Sequence, residues 1–224
     1  ANCTATLTVP KEMAAPVYMY YRLDNFYQNH RRYVKSRSDA QLRGDTVSEG
    51  DVGDCDPRKL DAAGQVLNPC GLIAASQFND VLSLEAPDGA PVALRKEGIA
   101  WRSDVDKKFA PGTDEDLIVW MRTAGLPNFK KLYRIIDTDL SPGAYTVRIA
   151  NNYPVAEFDG KKHVVVSTTK WLGGKNDFLG IAYITVGAVC MALAVAFAVR
   201  HAMAPRTIGD TKWLVWHKEK RAAM

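Results

Sequence analysis

Four cysteines and four histidines are all that 224 residues offer as thiolate or imidazole ligands, and none is spaced to share an ion. HxxxH, HExxH and CxxC pairs are all absent, so the common zinc sites are not expected. The GxSxG elbow of serine hydrolases is absent too. Gly173-Gly174-Lys175-Asn176 comes nearest to a phosphate loop. It fails because Thr169 stands where the first Gly belongs and Asn176 where Ser or Thr belongs. That segment reads as a juxtamembrane linker. Asp114, Glu115 and Asp116 are adjacent, whereas paired catalytic carboxylates converge from separate elements. No catalytic residue, metal or cofactor is expected on this chain.

Charge is also missing from one long stretch. Phe178 to Val199 (FLGIAYITVGAVCMALAVAFAV) contains no Lys, Arg, Asp or Glu over 22 residues. As a helix it would extend about 33 Å, enough to cross a bilayer core of roughly 30 Å. Its many Gly and Ala residues suit close packing against another helix. Three segments follow: 1–177 outside the cytosol, a transmembrane helix at 178–199, and a tail at 200–224.

Residues 1–177 carry 23 Lys and Arg against 23 Asp and Glu, whereas 200–224 carry six basic and two acidic residues. The whole formal excess of +4 thus sits in the tail. A short basic tail beside a span suits the cytoplasmic side and its anionic lipids. Lys161, Lys162, Lys170 and Lys175 balance it upstream, so the cysteines carry the orientation. Cys190 lies in the span as a small apolar filler. Cys55 and Cys70 bracket CDPRKLDAAGQVLNPC, too polar to pack itself; a bridge there would be worth roughly 3 kcal/mol on a chain-entropy estimate. Metal ligation is the rival reading. Asn2-Cys3-Thr4 fits a glycosylation sequon. These features favour a lumenal or extracellular location for 1–177. Cys3 is then unpaired, and with Ala1 opening the chain, its partner is expected upstream.

Along the chain, ATLTV and VYMYYRL read as strands interrupted by Pro10 and Pro16. Asp24 could cap a short helix with Phe26, His30 and Tyr33 at i, i+4 and i+7. Residues 71–84 read as a short helix running into a strand. Further strands are expected at 91–95, 132–136, 144–150 and 162–168. Asp114 to Thr123 fits a helix with acids at its positive end, or a strand. The fold class is a mainly β membrane protein, with an antiparallel sandwich, short helices and long loops. Trp171, Trp213 and Trp216 flank the span, where indoles anchor bilayer interfaces.

Asn25 to Arg37 (NFYQNHRRYVKSR) interleaves Arg31, Arg32, Lys35 and Arg37 with Phe26, Tyr27 and Tyr33. Such a pattern could stack bases and grip phosphates, but nucleic acid is not expected outside the cytosol. An anionic headgroup or an acidic partner surface is the functional alternative. The plainer reading pairs the cations with the domain's equally numerous carboxylates and turns the aromatics inward.

This stretch, with NPCG at 68–71, FND at 78–80 and GIAWRSD at 98–104, resembles the ligand-effect modulator family, also called the cell-division-control protein 50 family. DEDLIVWMRT at 114–123, KKLYRII at 130–136, NNYPV at 151–155 and STTKWLGGKNDFLGIAYITVG at 167–187 continue the likeness. The family comprises accessory (β) subunits of type-IV P-type ATPases, the phospholipid flippases. The resemblance implies a glycosylated exoplasmic domain held between two membrane helices, and a heterodimer with the ATPase catalytic subunit in contact with membrane lipids. It implies a chaperone-like role in folding, export from the endoplasmic reticulum and the transport cycle, in Golgi, endosomal or plasma membranes. It also implies a Cys55–Cys70 disulfide and no catalytic residue. Three departures stand out: the first membrane helix is absent, Val81 replaces the Thr of a family sequon, and 107–114 is shortened. The alternative is a single-pass receptor or adhesion ectodomain.

Overall fold

Proline decides where the first two strands stop and start. In the computed structural model, which describes residues 2–169, 178–205 and 209, β1 (Asn2–Val9) ends just before Pro10 and β2 (Val17–Asp24) begins just after Pro16. Proline has no N–H to give a ladder, so it belongs at strand ends. The remaining strands are β3 (Val81–Glu85), β4 (Phe129–Ile136), β5 (Gly143–Ala150) and β6 (Lys161–Thr168). Among them, besides 3-10 turns at Glu49–Cys55 and Ala156–Phe158, lie the short α-helices α1 (Arg31–Lys35), α2 (Asp39–Leu42), α3 (Leu72–Ala75), α4 (Arg102–Lys108) and α5 (Glu115–Met121). The chain divides into two compact units, residues 1–169 and 170–224.

In the first unit, two three-stranded antiparallel sheets have the orders β1-β5-β3 and β4-β2-β6. Alternation along β2 is clean: Val17, Met19, Tyr21 and Leu23 are buried while the residues between them face outward. A period of two places such residues on one face of a strand. Both sheets feed one core, with Leu82, Leu84, Tyr145 and Val147 from the first and Met19, Leu23, Tyr133 and Ile136 from the second. This is the antiparallel sandwich with short helices that the sequence pattern implies.

Within segment 114–123, residues Glu115–Met121 are helical, which settles the helix-or-strand alternative. Asp114 caps α5 by accepting from the Asp116 N–H at 2.9 Å, and Glu115 and Asp116 occupy the first turn. Trp120 drives the helix into the core. It is fully buried, donates from Nε1 to the Ile73 carbonyl at 2.7 Å, and lies among Tyr21, Phe26 and Tyr153. At its other end, the Lys131 ammonium donates to the carbonyls of Val119 (3.0 Å), Trp120 (2.9 Å) and Arg122 (2.5 Å). It thereby satisfies the carbonyls that every helix leaves unpaired at its C-terminus. Burial, and then the Arg122 guanidinium, push Lys131 down to about 7.

Two expectations are corrected. Residues 91–95 are not a strand. Pro91 bridges Glu85 of β3 and Arg95 bridges Ile135 of β4, so the segment straps one edge strand of each sheet and can make only one bridge to either. Asp24 does not cap a helix. Its carboxylate accepts from Arg22 Nε at 2.8 Å and meets His163 Nε2 at 3.0 Å, while Asn25, at φ +62°, turns the chain. Helix α1 starts only at Arg31, with no side-chain cap.

The second unit contains α6 (Phe178–Met203), 26 residues that continue past Val199 through Arg200 and His201. None of its side chains is buried, and it is long and apolar enough to cross a membrane. Thr185, one of its few polar residues, folds its hydroxyl back onto the Ile181 carbonyl at 2.8 Å. The tryptophans at 171, 213 and 216 and the glycine pair at 173–174 lie outside the described residues.

Trp120→Ala removes the core's largest side chain and leaves the Ile73 carbonyl with only the longer bond from the Ser76 hydroxyl, 3.2 Å. A loss of about 3–5 kcal/mol is expected, read as a lower midpoint in thermal unfolding of the purified protein.

Candidate functional site

Ser36, at the end of the basic stretch, is fully buried, and its hydroxyl accepts from the Leu72 N–H at 2.9 Å. Gly71 crosses beside it at φ +104°, where a Cβ would stand 2.1 Å from the Ser36 carbonyl oxygen. Only glycine permits that approach and that conformation. The crossing closes the loop 36–71. Within it, Gln41 donates to the Leu67 carbonyl at 2.8 Å and accepts from the Cys70 N–H at 3.0 Å. A disulfide joins Cys55 to Cys70, both fully buried against Val52. The bridge rather than the metal alternative is therefore the chemistry of this pair.

Two surfaces border this crossing, one on each side of Ser36 in the chain. On the first, α1 exposes Arg31, Arg32 and Lys35, and no carboxylate of the described residues pairs with them. Tyr27 beside them is 58% exposed, whereas Phe26 and Tyr33 turn inward and meet edge-on at 5.8 Å. The aromatics thus divide between core and surface, and three of the four cations stay unpaired.

Arg37 belongs to the second surface. Its Nε lies 3.0 Å from Asp39, and it lines a cavity of about 430 Å³ together with Leu42, Arg43 and residues of α4 and α5. The Ala110 N–H donates to the Leu42 carbonyl at 2.7 Å, which joins the two walls. Asp104 is buried in the α4 wall. Its Oδ2 accepts from Arg122 Nε at 2.9 Å, and its Oδ1 lies 2.8 Å from Lys108 Nζ. Arg122 also stacks 4.0 Å from the centroid of the exposed Trp101 ring. Burial pushes the Asp104 carboxyl up, but Lys108 and Arg122 outweigh it and hold it below the usual range. The residues of α4 and Arg122 were not among the sequence candidates; an Asp104–Lys108 pair at i, i+4 is the one local hint of this wall.

A second cavity, of about 350 Å³, lies beside Tyr21 and Phe78, whose rings stack at 4.0 Å. Its carboxylates are already engaged: Asp80 by Lys162, Asp114 by Lys96 and Asp116 by Arg134. Asp80 also accepts from the N–H groups of Asn152 (2.7 Å) and Tyr153 (2.6 Å), tying the FND block to the NNYPV block. Among the described residues no cluster of three His, Cys, Asp or Glu is placed to hold a metal. Asn2 and Cys3 both lie exposed at the start of β1, opposite Ala150 and Ile149 of β5, and Cys3 is a free thiol among the described residues.

Two outcomes test this geometry. Gly71→Ala cannot be seated without moving Ser36, so a substantial fall in melting temperature is expected, larger than for Gly64→Ala, where a Cβ meets open space at φ +77°. Asp104→Asn should cost about 1–2 kcal/mol at neutral pH, allowing for the solvent exposure of Arg122 and Lys108. Because the folded carboxyl is depressed, its contribution is present above the ordinary Asp range and lost as pH falls through the lowered value. The gap between wild type and Asp104→Asn in thermal melts should therefore narrow in acid.

The chain matches the model of the LEM3 (ligand-effect modulator 3) family / CDC50 family over residues 1–114 and 111–207. It is similar to ALA-interacting subunit 3 of Arabidopsis thaliana, at 48% identity over 96% of this chain and 68% of the relative. Cell cycle control protein 50A of Bos taurus is 43% identical over 88% of this chain and 67% of its own length. Cell cycle control protein 50B of Homo sapiens is 40% identical over 85% and 68%. Matched by that family model along nearly its whole length, the chain belongs to the LEM3/CDC50 family.

Proposed function

We propose that this chain is a non-catalytic accessory subunit of a type-IV P-type ATPase that moves phospholipids, needed for the folding of that enzyme, its export from the endoplasmic reticulum and its transport cycle. The family match over 1–114 and 111–207 carries the reading. A relative's printed name, ALA-interacting subunit, points the same way. In this reading residues 1–177 face the lumen or exterior, 178–199 span the bilayer, and the basic tail meets the cytoplasmic leaflet. The Cys55–Cys70 disulfide supports that orientation, since such bonds persist in oxidising compartments.

A subunit with no chemistry of its own can act only through differential binding. If the ectodomain holds some conformations of the cycle more tightly, it shifts their populations by that difference and no more. The exposed face of α1 supplies contacts of the right kind: Arg31, Arg32 and Lys35 beside the exposed Tyr27. Arg and Tyr are enriched among the residues that dominate interface energies. Asn2, exposed within its sequon, is the proposed glycan acceptor.

Affinity purification of the intact chain should recover a large multi-span ATPase, and recovery of this chain alone would sink the proposal. Replacing Arg31, Arg32 and Lys35 together by Glu should lower ATPase recovery about tenfold or more, with thermal stability unchanged. Cys55→Ser should lower delivery of the complex to the cell surface; unchanged trafficking would make the bridge dispensable. Protease added to the cytosolic side of sealed vesicles should remove the tail and spare residues 1–177.

A further inference from the structure

We propose that the concavity lined by Arg37, Arg43, α4 and α5 is a binding site for a small organic phosphate ester. The site does not depend on the subunit reading, because it rests on this cavity's own charge, donors and floor.

Charge is the first observation. Arg37, Arg43, Lys107, Lys108 and Arg122 line the cavity, against two carboxylates, Asp39 and Asp104. Asp45 lies 3.9 Å from Arg43 beside the lining, so two positive charges are left uncompensated in one concavity, on a segment whose 23 cations and 23 anions balance as a whole. A concave, like-charged wall concentrates anions far better than the same charges spread over a flat surface.

Donor geometry is the second. The two carboxylates do not quench the arginines so much as aim them. Asp104 takes Nε and Nη2 of Arg122 at 2.9 and 2.8 Å, and Trp101 covers one face of the guanidinium at 4.0 Å. Asp39 lies 3.0 Å from Nε of Arg37. Nη1 of Arg122 and both Nη atoms of Arg37 have no hydrogen-bond partner among the described residues, and neither does the Lys107 ammonium. Held guanidinium forks with unspent N–H groups match the several oxygens of a phosphate, and their rigidity lowers the entropic cost of binding.

The floor is the third. The apolar lining comprises the buried Leu42, Ile118 and Met121 and the half-buried Phe109. A bare inorganic anion gains nothing from that surface, whereas an ester can lay its carbon portion on it. The volume, about 430 Å³, falls in the range of small-ligand sites, roughly 300–1,000 Å³. The phosphate ester can be a soluble metabolite or the headgroup of a lipid, and the chemistry recognised is the same.

The test is calorimetric titration of the purified intact chain with glycerol 3-phosphate. Saturable, salt-sensitive binding is expected, weakened about tenfold or more by the double change Arg43→Ser and Lys107→Ser, since each charge-assisted contact contributes to affinity. Both residues are exposed, so unchanged melting temperature shows that the fold is intact. Arg37→Lys keeps the charge and loses the fork, and should weaken binding several-fold. Repeating the titration in phospholipid nanodiscs and in phospholipid-free detergent separates the sources: weaker glycerol 3-phosphate binding in nanodiscs assigns a lipid headgroup, and equal binding assigns a soluble ester. No binding of glycerol 3-phosphate, or equal binding by the double variant, overturns the proposal. Loss of ATPase recovery in that variant, without phosphate binding by wild type, would overturn it in favour of a protein contact.

Discussion

The close passage of the Gly71 backbone past Ser36 is the constraint on which the surface of this protein depends. It is a contact between two main chains, possible only because one residue has no side chain and tolerates φ of +104°. With it in place, the Leu72 N–H finds the buried Ser36 hydroxyl, the Cys70 N–H finds Gln41, and a polar loop of irregular backbone becomes a defined wall. The disulfide between Cys55 and Cys70 works on a different part of the problem. It limits the freedom of the unfolded loop, whereas the glycine crossing determines where the folded loop sits.

The sandwich core anchors the opposite wall. Trp120 sits where the rings of Tyr21, Phe26 and Tyr153 converge, so α5 cannot slide without opening the core. Lys131, reaching from β4, holds the carbonyls at the end of that helix. Arg122 follows immediately and carries its charge into the cavity. Side chains presented from elements locked in this way are held more closely than side chains on free loops.

Buried and half-buried carboxylates of the first unit are engaged in shape-keeping. Asp80 gathers two backbone N–H groups and Lys162, Asp104 gathers Arg122 and Lys108, and Asp116 pairs with Arg134. Each is tied to at least one donor on another element, which fixes the backbone around it. The exposed cations of α1 and of the cavity are the groups left with donors to offer, and they lie on surfaces whose backbone is held from beneath.

Strand alternation, the prolines around β2, the acidic start of α5 and the uncharged stretch at 178–199 were all readable from local pattern, because each is written within a few residues. The blocks FND and NNYPV were readable as family signatures but not as partners; their meeting at Asp80 links positions more than seventy residues apart. Segment 91–95 looked like a strand because its residues suit one, and became a strap because the two sheet edges it serves are separate. Asp24 looked like a cap because periodicity follows it, and became a partner of Arg22 and His163 once β2 and β6 were side by side. The amino-acid sequence by itself determined the class of protein, its apolar helix and most of its strands, all of which follow from short-range sterics and hydrophobic periodicity. Only the tertiary structure decided which charges stand together: Arg37 and Arg122 share a cavity because a glycine crossing and a buried tryptophan bring distant segments face to face, and no local pattern records that meeting.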